Sequence, residues 1–130
     1  MRYLGIDFGT KKVGLAISTP EESMSFPLTV LPNDKNIFKK IKEVVVTREV
    51  VGVVIGLPLS ETKTHNTFLE NVDIFSKELA KHINCPIFFE NENYSSRHAA
   101  LVANKKEDLD SASAVIILDR FLAKKEKGEN

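Results

Sequence analysis

Apolar and polar residues alternate with a period of two through the first quarter of the chain, and apolar spacings of three and four appear afterwards. In Tyr3-Leu4-Gly5-Ile6-Asp7-Phe8, the side chains of Leu4, Ile6 and Phe8 share one face of a strand, while Asp7 shares the other with Gly5 and Gly9. Gly9-Thr10-Lys11-Lys12 predicts a hairpin turn. In the next strand Val13, Leu15 and Ile17 alternate with Gly14, Ala16 and Ser18, so one face is small throughout. A polar turn around Pro20 to Ser25 leads to a third strand, Phe26 to Leu31.

Asn33 or Asp34 can cap a helix that carries Ile37, Ile41, Val44 and Val45 on one stripe. Gly52-Val53-Val54-Ile55-Gly56 is short and uniformly apolar, which suits a strand buried on both faces, and Pro58 ends it. Phe68, Val72, Phe75 and Leu79 mark a second helix, roughly His65 to Ile83. Pro86 to Glu90 is a fifth strand. Two shorter helices follow, Ser95 to about Asn104 and Asp110 to about Lys124, and residues 124–130 form a frayed tail. Hairpin-linked strands followed by strand-helix-strand units predict an α/β fold: a mixed five-stranded sheet, antiparallel then parallel, with helices on both faces.

A chain of 130 residues suits one domain, 1–130, able to bury a core without staples. Asp7 and Lys11 interrupt the first apolar stretch, so neither a signal peptide nor a membrane span is expected. The single Cys85 excludes an internal disulfide, fits a reducing cytoplasm and reads as a core residue. Eighteen basic and eighteen acidic residues cancel, so any grip on nucleic acid must come from local clusters and not from a broad basic surface.

One charge stands out against this pattern. An ionised Asp7 on a buried strand is costly unless a cation or a set of donors compensates it, and the glycines on either side leave room for a ligand to approach. Glu92 lies just past the carboxyl end of the fifth strand, the edge where open α/β sheets bind ligands. Asp110 opens the last helix, and the small residues Ala112, Ser113 and Ala114 behind it let that turn approach the sheet. Three converging carboxylates repel one another unless hard cations sit between them, and carboxylate oxygens suit Mg²⁺ or Mn²⁺. His65, His82 and His98 are scattered and offer no zinc pattern; His98 falls closest to Glu92 in the chain. Two metals at such a site can activate water and stabilise the leaving oxygen of a phosphodiester without a protein nucleophile.

Gly5-Ile6-Asp7-Phe8-Gly9-Thr10-Lys11, Gly14-Leu15-Ala16, Gly56-Leu57-Pro58-Leu59 and Asp110-Ser111-Ala112-Ser113-Ala114-Val115-Ile116-Ile117-Leu118 together resemble the YqgF family. These are small bacterial nucleases with an RNase H-like fold, known as Holliday junction resolvases and as pre-16S ribosomal RNA nucleases. The resemblance runs through essentially the whole chain. It implies Asp7, Glu92 and Asp110 as catalytic, metal-holding acids and a two-ion Mg²⁺ or Mn²⁺ mechanism. It also implies a nucleic-acid partner, either an rRNA precursor or branched DNA. The sequence does not choose between a monomer and a homodimer, although resolving a two-fold junction would require a symmetric dimer. The family's usual Asp-Glu-Arg reads here Asn91-Glu92-Asn93, which keeps the glutamate and changes its neighbours. Lys63 stands where a glycine is usual, and the stretch before Asp110 is short.

Lys11, Lys12, Lys105 and Lys106 flank the acids in turns and loops and can hold phosphates. Arg97 can supply the cation missing at Asn93, and Tyr94 can stack an unpaired base. The expected activity is endonucleolytic, with 5′-end maturation of pre-16S rRNA favoured because the neutral chain lacks the basic surface a four-way junction calls for. Junction resolution, a binding module with little catalysis, and a phosphate-binding ATPase are the competing readings; the last conflicts with the chain's length.

Overall fold

The computed structural model describes residues 1–21, 24–57, 65–91 and 106–126. Five strands, β1 (Arg2–Phe8), β2 (Lys12–Ser18), β3 (Ser25–Pro32), β4 (Val50–Leu57) and β5 (Ile87–Asn91), form one sheet in the order β3-β2-β1-β4-β5. β1 to β3 pair antiparallel through the two predicted turns, whereas β4 joins β1 in parallel and β5 joins β4 in parallel. The helices are α1 (Ile37–Thr47), α2 (His65–Ala80) and α3 (Lys106–Glu126).

Alternation decides which face each helix covers. Leu4, Ile6 and Phe8 of β1, with Val13, Leu15 and Ile17 of β2 and Val53 and Ile55 of β4, pack against α1 and α2. From the helices come the expected stripes, Ile37, Ile41 and Val45 of α1 and Val72, Phe75 and Leu79 of α2. The other face carries small side chains, and α3 lies on it through Ala114, Ile117, Leu118, Phe121 and Leu122, against Tyr3, Ala16 and Val54. A Cβ at Gly5 would meet the Ala114 carbonyl oxygen at 2.8 Å and the Leu118 Cβ at 2.9 Å, so only glycine permits this approach. Every residue of Gly52-Val53-Val54-Ile55-Gly56 is buried, as a strand flanked by two parallel neighbours and covered on both faces requires.

Several boundaries differ from the sequence expectation. α1 starts at Ile37 with Asn36 as its N-cap, and neither Asn33 nor Asp34 caps it. Asp34 Oδ1 instead accepts from the Asn36 N–H at 2.9 Å, an Asx turn before the helix. The Asn33 amide donates to the Gly9 carbonyl at 2.8 Å, and its backbone N–H to the Lys11 carbonyl at 2.9 Å, so Asn33 clamps the β1–β2 turn. Glu49, φ 54°, ends α1 in the left-handed region that favours glycine. α2 ends at Ala80, three residues before Ile83.

The last helix departs most. It begins at Lys106, so Asp110 is its fifth residue and not its opening one, and Lys106 is helical and not in a loop. It also continues through Glu126, and Lys124, expected to start a frayed tail, is held by an ion pair to Glu90. Once a helix is nucleated each further residue adds a backbone hydrogen bond at low cost, so the helix can run past Asp110, at which the sequence shows only a plausible cap. The helix expected over Ser95 to Asn104 lies outside the described residues.

Candidate active site

β1 is the central strand, and Asp7 sits near its carboxyl end on the face that α3 covers. Its cross-strand partner on β2 is Gly14. On the other side Ile6 pairs with Ile55, which brings Gly56 of β4 level with Asp7. Gly5 and Gly9 precede and follow it on the same face. The half-buried carboxylate therefore rises from a floor of glycines, where a bulky neighbour would close the approach.

α3 runs antiparallel to β1. Phe121 lies 5.3 Å from Tyr3 between ring centroids, and Lys125 Nζ stands 5.6 Å from the Tyr3 ring centre. Ala114 and Leu118 then lie over Gly5. One strand repeat carries β1 about 6.6 Å from Gly5 to Asp7, and four residues carry α3 about 6 Å from Ala114 back to Asp110. Asp110 is thus on the Ala114–Leu118 stripe of the helix, at the end of the sheet where Asp7 stands. Ser25 fixes the register of this packing by donating to Asp119 Oδ1 and, at 3.4 Å, to the Val115 carbonyl.

Lys11 and Lys12 are exposed in the turn that follows Asp7 and at the start of β2, and Lys106 opens α3 one turn before Asp110. β5 ends at Asn91, one residue before Glu92. Glu92, Tyr94, Arg97 and Lys105 lie outside the described residues. Among the described residues no three histidine, cysteine or acidic side chains converge on one point.

One acid that composition and motif gave no reason to select is Glu90. It is 4% exposed, pairs in register with Gly56, and accepts from Lys124 Nζ at 2.7 Å. Its alternation with Phe89, 45% exposed, was the available signal, since an acid on the inner face of a strand needs a partner. Elsewhere, a hydrogen bond from His82, with the Lys81 charge, holds Glu78 below the usual carboxylate range. His82 is part-buried and stacks on Phe38 at 5.3 Å. Burial pushes the Cys85 thiol up, in keeping with a packing role.

A mixed sheet in this order, helices on both faces and an acid at the carboxyl end of the central strand define an RNase H-like domain. The same architecture is found in RuvC of T. thermophilus, solved in complex with a Holliday junction substrate, with TM-score 0.63 and 15% identity over 99% of this chain and 98% of that one. A fowlpox virus resolvase in complex with junction DNA gives 0.58 and 15% over 95% and 97%. The chain belongs to the RuvX family: the family model described as "RuvX: Holliday junction resolvase" matches residues 1–124. Relatives named "Putative pre-16S rRNA nuclease" include one from Maridesulfovibrio salexigens, 37% identical over 95% of this chain and 99% of its own. Another, from Mycoplasma mobile, is 42% identical over 94% and 92%.

Proposed function

We propose that this chain is a metal-dependent endonuclease that matures the 5′ end of pre-16S rRNA, with Asp7, Glu92 and Asp110 as its catalytic acids. The observation that carries this reading is the glycine-floored Asp7 at the carboxyl end of β1, on the face covered by the helix that bears Asp110. The relatives' names and the near-complete overlap with them support the substrate class.

The donor set fits a hard divalent cation, because it consists of carboxylate oxygens and the residues around Asp7 are small enough to admit one. Mg²⁺ or Mn²⁺ held there supplies an acidified water and charge neutralisation for phosphodiester hydrolysis. The chain's own residues do the rest. Asp7, fixed by the sheet, sets the position of the cleavage point. Lys11 and Lys12 draw the backbone of the substrate toward it as point charges that carry no sequence information. Lys105, Lys106 and Arg97 serve the other side, and Tyr94 stacks an unpaired base.

The family description favours a second reading, resolution of four-way DNA. Symmetric cuts in a two-fold junction need a symmetric dimer. A cleavage panel of precursor rRNA, single-stranded RNA and junction DNA with Mg²⁺ or Mn²⁺, run beside a mass measurement, separates the two. Cuts in RNA by a monomer support the first reading; paired nicks in junction DNA by a dimer that leaves RNA intact overturn it.

A further inference from the structure

The two helices that share one face of the sheet, α1 and α2, treat their lysines differently. On α2, Lys77 pairs with Asp73 at 3.0 Å and Lys81 with Glu78 at 3.4 Å, so its exposed face neutralises itself. On α1 the charges are of one sign. From Asn33 to Arg48 the chain carries five basic residues against two acidic ones, within a sequence whose charges sum to zero. Ile37, Ile41 and Val45 take the inner stripe of α1, which leaves Lys39 and Lys42 on its exposed side, with Lys35 just ahead of the Asn36 cap. All three are exposed, and none forms an ion pair among the described residues.

Neither acid of this stretch pairs with the row. Asp34 accepts from the Asn36 N–H, and Glu43 lines the crevice between α1 and β3 together with Lys40, beside Leu28 and Leu31. The row is also continuous with the candidate active site. Lys11 and Lys12 follow Asp7 through the β1–β2 turn, Lys12 pairs in register with Pro32, and Asn33 bonds back to the Gly9 and Lys11 carbonyls. Lys35 is three residues beyond Pro32, so their Cα atoms are no more than about 11 Å apart. From there α1 climbs about 1.5 Å per residue, which puts Lys42 about 10 Å beyond Lys35. With about 4.8 Å between paired strands, the path from Lys12 to Lys42 is no longer than about 26 Å.

A row of unpaired ammonium groups suits a phosphodiester backbone, because each contact with a phosphate releases a counterion from the nucleic acid. The outer stripe ends on Val46, 64% exposed, and carries no aromatic ring, so it offers charge without a surface for stacking. Lysine in that setting grips phosphate as a point charge and reads no base. We propose that Lys35, Lys39 and Lys42 form a phosphate-binding ridge for the RNA substrate, an inference that rests on the nuclease reading above. The backbone leaving Asp7 crosses the Lys11–Lys12 turn and is held along α1, on the opposite face of the sheet. At about 3.4 Å per nucleotide the ridge extends the footprint by no more than about seven nucleotides, on one side of the cut only.

Paired substitutions in the full chain test this, with binding of a fluorescein-labelled single-stranded RNA titrated against salt in EDTA, where nothing is cut. Lys39→Gln/Lys42→Gln should lower the slope of log K against log [salt] by roughly 1–2, at about 0.7–0.9 per lost contact. Lys77→Gln/Lys81→Gln removes the same number of charges from α2, where each is already paired, and should leave the slope within error. Equal losses from both pairs would reduce the effect to net charge. No loss from the α1 pair would return its lysines to solvent. Either result overturns the ridge.

A second measurement locates the path. RNA spanning the mapped cleavage point is trimmed one nucleotide at a time from each end. Trimming one flank below about seven nucleotides should weaken binding to wild type stepwise. Lys39→Gln/Lys42→Gln should lose less than wild type on that flank and as much on the other; losses equal to those of wild type on both flanks would overturn the one-sided path. Wild type that shows the slope difference yet cuts no RNA with Mg²⁺ or Mn²⁺ would remove the nuclease reading and leave the ridge. Cleavage of RNA with no slope difference would remove the ridge alone.

Discussion

A single methyl group at Gly5 tests whether the close approach of α3 to the sheet is what positions Asp110. In Gly5→Ala the new Cβ would meet the Ala114 carbonyl oxygen at 2.8 Å and Leu118 Cβ at 2.9 Å. Neither contact can swing aside, because one atom is backbone and the other is fixed to it. To restore van der Waals separation the helix must retreat by roughly 0.6 Å. Overpacking of this kind costs about 1–3 kcal/mol. For a domain of this size that lowers Tm by roughly 3–5 °C per kcal/mol.

The same retreat carries Asp110, one turn from Ala114, away from Asp7. Since a misplacement of about 1 Å can cost about 10²-fold in rate, a shift of this size should reduce kcat by about tenfold in the fraction that remains folded. Urea unfolding and cleavage of precursor rRNA, both at a temperature where the variant is folded, separate the two effects. Gly52→Ala is the control. Its Cβ would meet the Tyr3 ring at 2.6 Å, away from the carboxyl end of β1, so it should lose stability with little loss of rate. Unchanged kcat in Gly5→Ala, at the predicted cost in stability, would refute the link between this packing and the site. Unchanged stability would refute the tight contact itself.

Asp7→Asn should keep its Tm within a few degrees and lose metal-dependent cleavage, because it removes the charge and nearly preserves the shape; retained cleavage would remove Asp7 from the site. Lys11→Ala/Lys12→Ala should weaken RNA binding evenly across sequences and lower the slope of log K against log [salt] by roughly 1–2, which a salt titration reads directly. Lys124→Ala strands the buried Glu90 and should cost about 1–3 kcal/mol; the double variant Glu90→Gln/Lys124→Met should recover part of that loss in chemical denaturation. Glu49→Gly relieves a left-handed glutamate at the end of α1 and should raise stability by about 1 kcal/mol. The raised Cys85 thiol should react with iodoacetamide more slowly than a free thiol at pH 8, and unfolding should erase the difference. Because the unfolded chain ionises that thiol first, its contribution to stability is complete below the ordinary thiol range and declines as pH rises through it.

Strand alternation was legible because it is local. Leu4-Ile6-Phe8 and Val13-Leu15-Ile17 mark one face without reference to anything distant, and the unbroken apolar run at 52–56 marks burial on both faces. For the same reason Asp7 was visible, as a charge at a position where the local pattern forbids one. Helix stripes at Ile37, Ile41 and Val45 and at Val72, Phe75 and Leu79 have the same origin. What the sequence left open depends on partners far along the chain. The aspartate at 110 makes a good cap by its local sequence, yet α3 starts at Lys106, four residues earlier. Gly5 reads as loose space beside an acid, yet the fold uses it as the seat of Ala114 and Leu118. Asn33 looks like a helix cap and is instead the clamp of the turn after Asp7, since the carbonyls it satisfies belong to residues more than twenty positions earlier. Glu90 and Lys124, thirty-four residues apart, become a pair only when β5 and α3 meet. Local periodicity determines which face a side chain takes; which groups then face one another is decided by packing over distances that no window along the chain contains.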